Sequence, residues 1–192
     1  MPALKVGYDG LFYFFSSLDL LVQAWVQQIY NPLLIKIMIA ITYMGFSGTY
    51  LILSAIISAF LICKRKSLEA IFLNISLFSA WGLMWFLKNL FMRVRPEGEA
   101  LTLAGGYSFP SGHSMLAIAF YGFLAAIIIS HYRNNRAWYA AIALYILIFL
   151  IGFSRIYLNV HYASDVLSGF VFGAICLIIS LKGMRTIQRR VD

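Results

Sequence analysis

Charged side chains are scarce in this chain of 192 residues: Asp, Glu, Lys and Arg make up 11% of it, whereas hydrophobic residues make up 62%. A soluble globular domain carries roughly a quarter charged residues. With a mean hydropathy of +0.84, the chain has too little polar surface to cover a water-soluble particle of its size. This scarcity excludes a disordered chain and almost any soluble fold, and it indicates a protein whose solvent is largely lipid.

Cysteine is nearly absent as well. Cys63 and Cys176 both lie in apolar runs, and we interpret them as small buried hydrophobic residues rather than as a disulfide or a metal pair. No group of cysteines and histidines has the spacing of a zinc site. The first ten residues also lack the pattern of a cleavable signal peptide. The sequence therefore does not predict a secreted disulfide scaffold or a zinc-stabilised fold.

Long hydrophobic runs, in contrast, are abundant. A transmembrane helix needs about 20 mostly apolar residues, and five runs meet or approach this length. They lie within Leu33–Ile62, where the span itself is expected at Ile39–Ile62, and at Leu68–Leu90, Ser114–Ser130, Trp138–Phe153 and Val166–Leu181. The predicted fold is an all-α, polytopic membrane helix bundle with five spans in a domain of residues 33–192.

Residues 11–30 have a different pattern. Asp19, Gln23 and Gln27 recur every four residues and form a polar stripe, and apolar residues fill the other faces. The pattern predicts an amphipathic helix in a separate N-terminal segment, residues 1–32. Such a helix lies in the membrane interface, and a sixth span is the alternative interpretation.

The basic excess, a formal net charge of +8, is interpreted as a signal of topology. If the five spans alternate, one side of the membrane receives nine basic and two acidic residues, and the other receives six basic and five acidic residues. Cytoplasmic loops carry an excess of Lys and Arg. The first side is therefore expected in the cytoplasm, close to anionic lipid head groups, and no nucleic-acid partner is expected. Its basic residues are Lys64, Arg65, Lys66, Arg133, Arg136, Lys182, Arg185, Arg189 and Arg190.

The few charges of the outer side lie at the ends of spans. Lys88 precedes Arg95 by seven residues. This distance is close to two helical turns, so both side chains can point the same way. Taken alone, a lysine near a helix end is more often a side chain that reaches from the span to the interface.

The segment from Tyr107 to His113 opens the third span. Proline and serine suit a helix start, Gly112 lets a ligand approach the backbone, and the first amides of a helix attract anions. An ordinary capped helix with an interfacial histidine is an equally good interpretation of this segment alone.

A third polar element contains Ser154-Arg155, His161 and Asp165. The His-x-x-x-Asp spacing places the carboxylate one helical turn from the imidazole. There it can accept a hydrogen bond from one ring nitrogen and leave the other free to attack. A local pair that stabilises the start of the fifth span is the alternative. The predicted topology nevertheless gathers three basic residues, two histidines and a carboxylate on one side of the membrane.

The three elements resemble a known signature. Lys88-x6-Arg95-Pro96, Pro110-Ser111-Gly112-His113 and Ser154-Arg155-x5-His161-x3-Asp165 are similar to the three motifs of the type 2 phosphatidic acid phosphatase superfamily, complete and in order. The resemblance covers roughly residues 68–181, which are therefore the expected catalytic core. Membrane members of this superfamily often have six spans.

The resemblance implies a role for each motif residue. His161 would be the nucleophile that forms a phosphohistidine, Asp165 would orient it, and His113 would protonate the leaving group and later activate water. The phosphate oxygens would be held by Lys88, Arg95, Arg155, the Ser111 hydroxyl and the Gly112 amide. Fixed cations and a helix amino terminus can neutralise the oxygens of a transferring phosphoryl group. Neither a metal ion nor another cofactor is therefore expected.

Other polar residues of the predicted outer side are not assigned to the catalytic site. Arg93 is expected to be a surface arginine, and a contact with a second phosphate is the alternative. Glu97, Glu99 and the Gly105-Gly106 pair lie on the longest outer loop, which is either a lid or a plain solvated loop. His131 is expected at the cytoplasmic end.

The function that follows is a multi-pass lipid phosphatase of a bacterial plasma membrane, with its active site on the extracytoplasmic face. Its expected partners are lipid phosphates and membrane lipids. Candidate substrates are undecaprenyl pyrophosphate, phosphatidylglycerol phosphate, phosphatidic acid and diacylglycerol pyrophosphate. A lipid phosphotransferase that uses the same site is one alternative. A transporter or scaffold without enzymatic activity, in which the charges form an anion path, is the other.

Overall fold

Seven helices make up the described part of the chain. The computed structural model describes the backbone of residues 2–132 and 134–191. In these ranges every regular element is a helix, so the predicted all-α class is confirmed. The helices are α1 (Pro2–Gln28), α2 (Pro32–Tyr43), α3 (Ser47–Cys63), α4 (Ser67–Phe91), α5 (Gly112–Tyr132), α6 (Asn135–Tyr157) and α7 (Ala163–Val191).

Local sequence signals account for several helix ends. The Asn31 side chain accepts a hydrogen bond from the Leu33 amide at 2.8 Å, and Pro32 is the first residue of α2. Both features are favoured at helix starts. At the end of α4, Met92 adopts a left-handed φ of 48°, and its amide donates to the Lys88 carbonyl. This turn stops α4 one helical turn after Lys88.

Among the described residues, four helices, α4 to α7, are long and apolar enough to cross a membrane, and the bent pair α2–α3 makes a fifth span if it is counted as one. The protein is thus a multi-pass membrane helix bundle. The run in which the span at Ile39–Ile62 was expected is not one helix, because α2 and α3 meet at an angle of 47°, and the fifth span stays a prediction. The Tyr121 hydroxyl donates to the Met44 carbonyl at 2.9 Å inside this break, so a backbone group released by the bend is satisfied by a neighbouring helix.

Helix α5 lies at the centre of the bundle and packs against α4, α6 and α7. Small residues allow α7 to approach it closely. A Cβ atom at Gly169 would come within 2.6 Å of the Ser111 carbonyl oxygen, and one at Gly173 within 3.1 Å of the Ile118 Cβ. Close packing through small residues is common between membrane helices. Here it brings the amino ends of α5 and α7 side by side.

Helix α1 packs against α6 and α7. Its polar stripe is partly covered by protein: Asp19 is buried, Gln23 donates to the Asn159 side chain, and Gln27 is exposed. On other faces of the helix, Leu21 and Trp25 are exposed. The predicted helix is confirmed, and its placement in the interface, or across the membrane as a sixth span, stays a prediction.

Candidate active site

The site lies where the carboxyl ends of α4 and α6 meet the amino ends of α5 and α7. It surrounds a cavity of about 330 Å³. Six of the eight predicted site residues line this cavity: Lys88, Arg95, Gly112, His113, Arg155 and His161. Ser111 and Asp165 lie behind its wall and are fully buried. The structure therefore brings six of the predicted residues to one cavity and places the other two next to it.

His161 lies in the short connection between α6 and α7. Its backbone amide donates to the Arg155 carbonyl at 3.2 Å, which ties the connection to the end of α6. The two ring nitrogens face different partners. Nδ1 lies 3.3 Å from the Ser108 hydroxyl and 3.6 Å from Oδ2 of Asp165, whereas Nε2 lies 3.3 Å from a guanidinium nitrogen of Arg95.

The protonation state of His161 follows from its burial. Burial lowers the pKa of His161 to about 3, and the hydrogen bond and charge of Asp165 oppose this shift without reversing it. The imidazole is therefore neutral at neutral pH and has a lone pair on one ring nitrogen. A neutral, oriented imidazole is the form that can act as a nucleophile.

Asp165, at the start of α7, is held on several sides. Its Oδ1 accepts from Arg93 at 2.5 Å, and its Oδ2 accepts from the Ser108 hydroxyl at 2.5 Å and from the Tyr162 amide at 3.0 Å. Ser108 thus stands between the carboxylate and the His161 ring, a position that the sequence interpretation missed. The sequence feature that could have identified Ser108 is its position in the segment from Tyr107 to His113, which opens α5.

Two of the three cavity cations are tied to the loop between α4 and α5. In this loop, the Arg95 guanidinium donates to the Gly105 carbonyl at 2.7 Å and the Lys88 ammonium donates to the Tyr107 carbonyl. Arg95 also donates to the Val160 carbonyl at 2.5 Å, in the connection between α6 and α7. Burial lowers the pKa of Arg95 from its usual value, yet an arginine stays protonated in proteins. Lys88 and Arg95 therefore converge on one stretch of backbone at the cavity wall.

Arg155, near the end of α6, is the most deeply buried of the three cations, with 2% of its surface exposed. One guanidinium nitrogen donates to the Thr42 hydroxyl at 2.6 Å. Its Nε is buried and has no hydrogen-bond partner among the described residues. A buried cation with an unused donor favours an anion in the adjacent cavity.

The second motif is placed differently from expectation. The Ser111 hydroxyl accepts from the Ser114 hydroxyl at 3.0 Å, and the Ser111 amide donates to the Asp165 carbonyl at 3.0 Å. In this arrangement Ser111 joins α5 to α7 and does not line the cavity. Gly112 lies on the cavity wall, where an added Cβ would collide with the sulfur of Met84. Direct contacts of both residues with phosphate stay predictions.

Arg93 is not the surface side chain that was expected. Only 10% of the side chain is exposed, and it forms ion pairs with Asp19 at 2.7 Å and with Asp165 at 2.5 Å. The alternative, a contact with a second phosphate, is not favoured either, because the cation already serves two carboxylates. Sequence periodicity marked Asp19 as part of a polar stripe but carried no signal for this partner.

The long outer loop forms part of the site. Residues 102–105 line the cavity, and the carbonyls of Glu97 and Glu99 accept from the Asn159 side chain at 3.1 and 3.2 Å. The loop is therefore anchored next to the His161 segment rather than plainly solvated. His131 pairs with Glu69 at 2.9 Å at the other end of α5.

The break between α2 and α3 supplies another cavity wall, which the sequence interpretation missed. Thr42, Tyr43, Gly45, Phe46 and Ser47 line the cavity there. A Cβ atom built at Gly45 would lie 2.6 Å from Ile151 Cγ2 and 2.8 Å from Cδ2 of the His113 ring. The absence of a side chain at Gly45 therefore leaves the room in which the His113 imidazole lies.

We expect Gly45→Ala to lower kcat by about 10- to 100-fold, because a displacement of about 1 Å at a reacting group has effects of this size. Phosphate release by the purified protein measures the change. Gly82→Ala in α4 is the matched control, since its added Cβ meets nothing within 4 Å, and it should keep the parent rate. Equal activities of the two variants would show that His113 tolerates the contact.

The chemistry of the site depends on cations and hydrogen-bond donors. In the described part of the chain, no three His, Cys, Asp or Glu side chains gather in a way that could hold a metal ion. The site instead combines three cations, a neutral imidazole backed by a carboxylate and a second imidazole. This combination can bind a phosphoryl group and accept it on nitrogen.

Comparison with known proteins agrees with this chemistry. The sequence profile of the PAP2 superfamily matches residues 69–189. The chain belongs to the PAP2 superfamily. It is 34% identical to phosphatidylglycerophosphatase B of Bacillus subtilis over 155 residues, which cover 80% of this chain and 76% of that protein. It is also 35% identical to human dolichyldiphosphatase 1 over 107 residues, which cover 50% of this chain and 45% of that protein.

Two solved structures share the fold. The crystal structure of a transmembrane PAP2-type phosphatidylglycerolphosphate phosphatase from Bacillus subtilis has a TM-score of 0.84 and 27% identity, over 99% of this chain and 96% of that chain. LpxE from Aquifex aeolicus has a TM-score of 0.72 and 29% identity, over 86% and 95% of the two chains. These relatives confirm the predicted family and the enzyme class, a phosphatase that acts on lipid phosphates.

Proposed function

We propose that this PAP2 lipid phosphatase hydrolyses lipid phosphates through a phosphohistidine on His161. The observation that carries the proposal is the orientation of the His161 ring: Nδ1 faces Ser108 and Asp165, and Nε2 faces Arg95 at the cavity. One nitrogen is therefore held by the protein, and the other is directed toward the place where the cations bind phosphate.

The reaction has two steps. In the first, Nε2 of His161 forms a bond to phosphorus, the bond from phosphorus to the lipid oxygen breaks, and His113 donates a proton to that oxygen. In the second, His113 takes a proton from water, the resulting oxygen attacks phosphorus, and the bond from nitrogen to phosphorus breaks. Asp165 stabilises the positive charge that the His161 ring carries between the steps. Lys88, Arg95 and Arg155 neutralise the phosphoryl oxygens in both steps.

The charge of the cavity favours a substrate with one terminal phosphoryl group. Among the described residues, Lys88, Arg95 and Arg155 are the cations that line it, and Arg93 is occupied by two carboxylates. The proposed mechanism uses all three at the transferring phosphoryl group, so no further cation among the described cavity residues is left for a second phosphate. We therefore rank phosphomonoesters such as phosphatidylglycerol phosphate and phosphatidic acid before undecaprenyl pyrophosphate and diacylglycerol pyrophosphate.

The location that we propose is the outer face of a bacterial plasma membrane. The cavity lies at one end of the bundle, whereas Lys64, Arg65 and Lys66 lie in the turn at the other end, between α3 and α4. The bias of basic residues toward cytoplasmic loops supports this orientation. The cavity walls also include Tyr43 and Phe46, which are exposed apolar side chains and suit a substrate whose tail stays in the bilayer.

A substrate panel tests the proposal. We expect the purified protein in detergent micelles to hydrolyse phosphatidylglycerol phosphate and phosphatidic acid with a kcat/KM at least about tenfold above that for the two diphosphates, which is about 1.4 kcal/mol. Chelation with EDTA should leave the rates unchanged, and saturating vanadate should abolish them. A reversed ranking would overturn the charge argument, and loss of activity with EDTA would contradict the metal-independent scheme.

The same assay separates the alternatives. A phosphotransferase would place the phosphoryl group on an added alcohol rather than on water, so the products are analysed for phosphorylated acceptor as well as for free phosphate. A transporter or scaffold would release no phosphate from any lipid. Para-nitrophenyl phosphate serves as the water-soluble control, and its hydrolysis at the rate of the lipids would contradict a lipid-specific site.

A further inference from the structure

Asp19 of α1 reaches the amino end of the helix that carries Asp165. Its Oδ1 accepts from the Ser164 amide at 2.9 Å, and its Oδ2 accepts from the Ser164 hydroxyl at 2.7 Å. Ser164 is the second residue of α7, and the first amides of a helix have no partner within the helix. A residue 145 positions earlier in the chain therefore supplies the acceptor that α7 lacks.

The same carboxylate holds Arg93. Nη2 of Arg93 donates to Oδ2 of Asp19 at 2.7 Å, and Nη1 donates to Ser164 Oγ at 2.7 Å and to Oδ1 of Asp165 at 2.5 Å. The guanidinium also lies 4.1 Å from the centre of the Tyr162 ring. The side chain of Asp19 is 1% exposed and that of Asp165 is fully buried, so both carboxylates share one cation away from water.

We infer that Asp19 is a positioning residue for phosphoryl transfer, an inference that rests on the proposed function. It acts through Arg93 and Ser164: the planar guanidinium is held at one edge by Asp19, and its other edge then keeps Oδ1 of Asp165 in place. Oδ2 of Asp165 is thereby directed toward Ser108 and the His161 ring. Helix α1 is in this view part of the catalytic apparatus rather than only a membrane anchor.

The geometry explains why the distant carboxylate matters. Arginine has a rigid fork of donors, so fixing one of its nitrogens fixes the direction of the others. Without Asp19, Arg93 is free to rotate toward Asp165 alone, and the Ser164 amide loses its acceptor. Both changes move the first turn of α7, and Asp165 moves with it relative to His161.

The test compares two variants on the same helix face. Asp19→Asn keeps the size of the side chain and removes the charge that holds Arg93, and we expect kcat to fall about 10- to 100-fold with a KM close to that of the parent. Gln23→Ala is the matched control, because it removes the contact of α1 with Asn159 but leaves the carboxylates untouched. It should keep kcat near the parent value.

A double-mutant cycle shows whether Asp19 acts through Arg93. Arg93→Lys keeps the charge but loses the fork. If the inference holds, Asp19→Asn changes kcat by less than about twofold in the Arg93→Lys background, because coupled neighbours are not additive. The inference would be overturned if the double variant lost kcat by the product of the two single losses. It would also be overturned if Asp19→Asn alone kept the parent kcat, or lost no more kcat than Gln23→Ala does.

Two single variants complete the test. If Asp19→Asn does not yield folded protein, Arg93→Lys is measured by itself: it keeps a cation between the two carboxylates but loses the fork that links Asp19 to Asp165, and it should lower kcat without raising KM. An unchanged kcat in Arg93→Lys would then overturn the inference. His161→Ala tests the proposed function separately from the role of Asp19. Full activity of His161→Ala would contradict the proposed function. Its expected loss of activity is compatible with either result for Asp19, which the other variants decide.

Discussion

Replacing His161 by alanine is expected to lower kcat by at least about 10⁴-fold, the range seen when a nucleophile that works with a neighbouring base is removed. The physical reason is that no other described side chain of the cavity has a nitrogen backed by a buried carboxylate. What remains is the binding of phosphate by three cations, which positions water but offers no covalent route. Phosphate release from phosphatidic acid by the purified variant measures the loss.

The covalent step is tested in the same protein. With ³²P-labelled lipid in a single turnover, the parent should form an acid-labile, base-stable phosphoenzyme, and the His161→Ala variant should form none. His131→Ala is the control, because His131 pairs with Glu69 at the opposite end of the bundle and its loss should leave labelling intact. Labelled protein in the His161→Ala variant would assign the nucleophile to a different residue.

Replacing Arg155 by alanine is expected to lower kcat by about 10³-fold, the lower end of the effect of a single arginine on phosphoryl transfer. Its guanidinium is 2% exposed, and its Nε has no hydrogen-bond partner within the described residues. The developing charge on the phosphoryl oxygens supplies the missing partner, and because the guanidinium is buried, this interaction is screened less than it would be at the surface. The loss should therefore appear in kcat more than in KM.

Two matched variants sharpen this prediction. Arg155→Lys keeps the charge but not the planar donors, so it should recover only part of the rate. Arg136→Ala, at the start of α6 and at the far end of that helix, should keep the parent rate. Vanadate should bind the Arg155→Ala variant more weakly than the parent. A large rise in KM with an unchanged kcat would show instead that Arg155 only binds the ground state.

Part of this site was predictable from the sequence, because it depends on the spacing of the motif residues and on the alternation of successive spans between the two faces of the membrane. Hydrophobic runs of membrane length specify spans, and successive spans must return to alternate faces. Lys88, Arg95, His113, Arg155 and His161 stand at ends of runs that alternate, so they were expected at one face, and all of them line one cavity.

The prediction of the spans was incomplete at the place where the backbone departs from a regular helix. The run at Ile39–Ile62 contains Gly45, Ser47 and Gly48, residues at which helices often kink, but they do not by themselves specify a break, and α2 and α3 meet at 47°. The break becomes possible because Tyr121, from α5, satisfies the Met44 carbonyl. A compensating partner in another helix has no local signature in the run itself.

The sequence by itself determined the membrane class, the four long apolar helices and the motif residues that meet at one end of the bundle, because these follow from the transfer of apolar side chains into lipid and from the periods of the helix. Tertiary structure alone decided that Asp19 and Arg93 are buried partners of Asp165, that Ser108 stands beside His161 and that Gly45 makes room for His113. Periodicity can show that a helix face is polar, but only packing decides which distant side chain covers it.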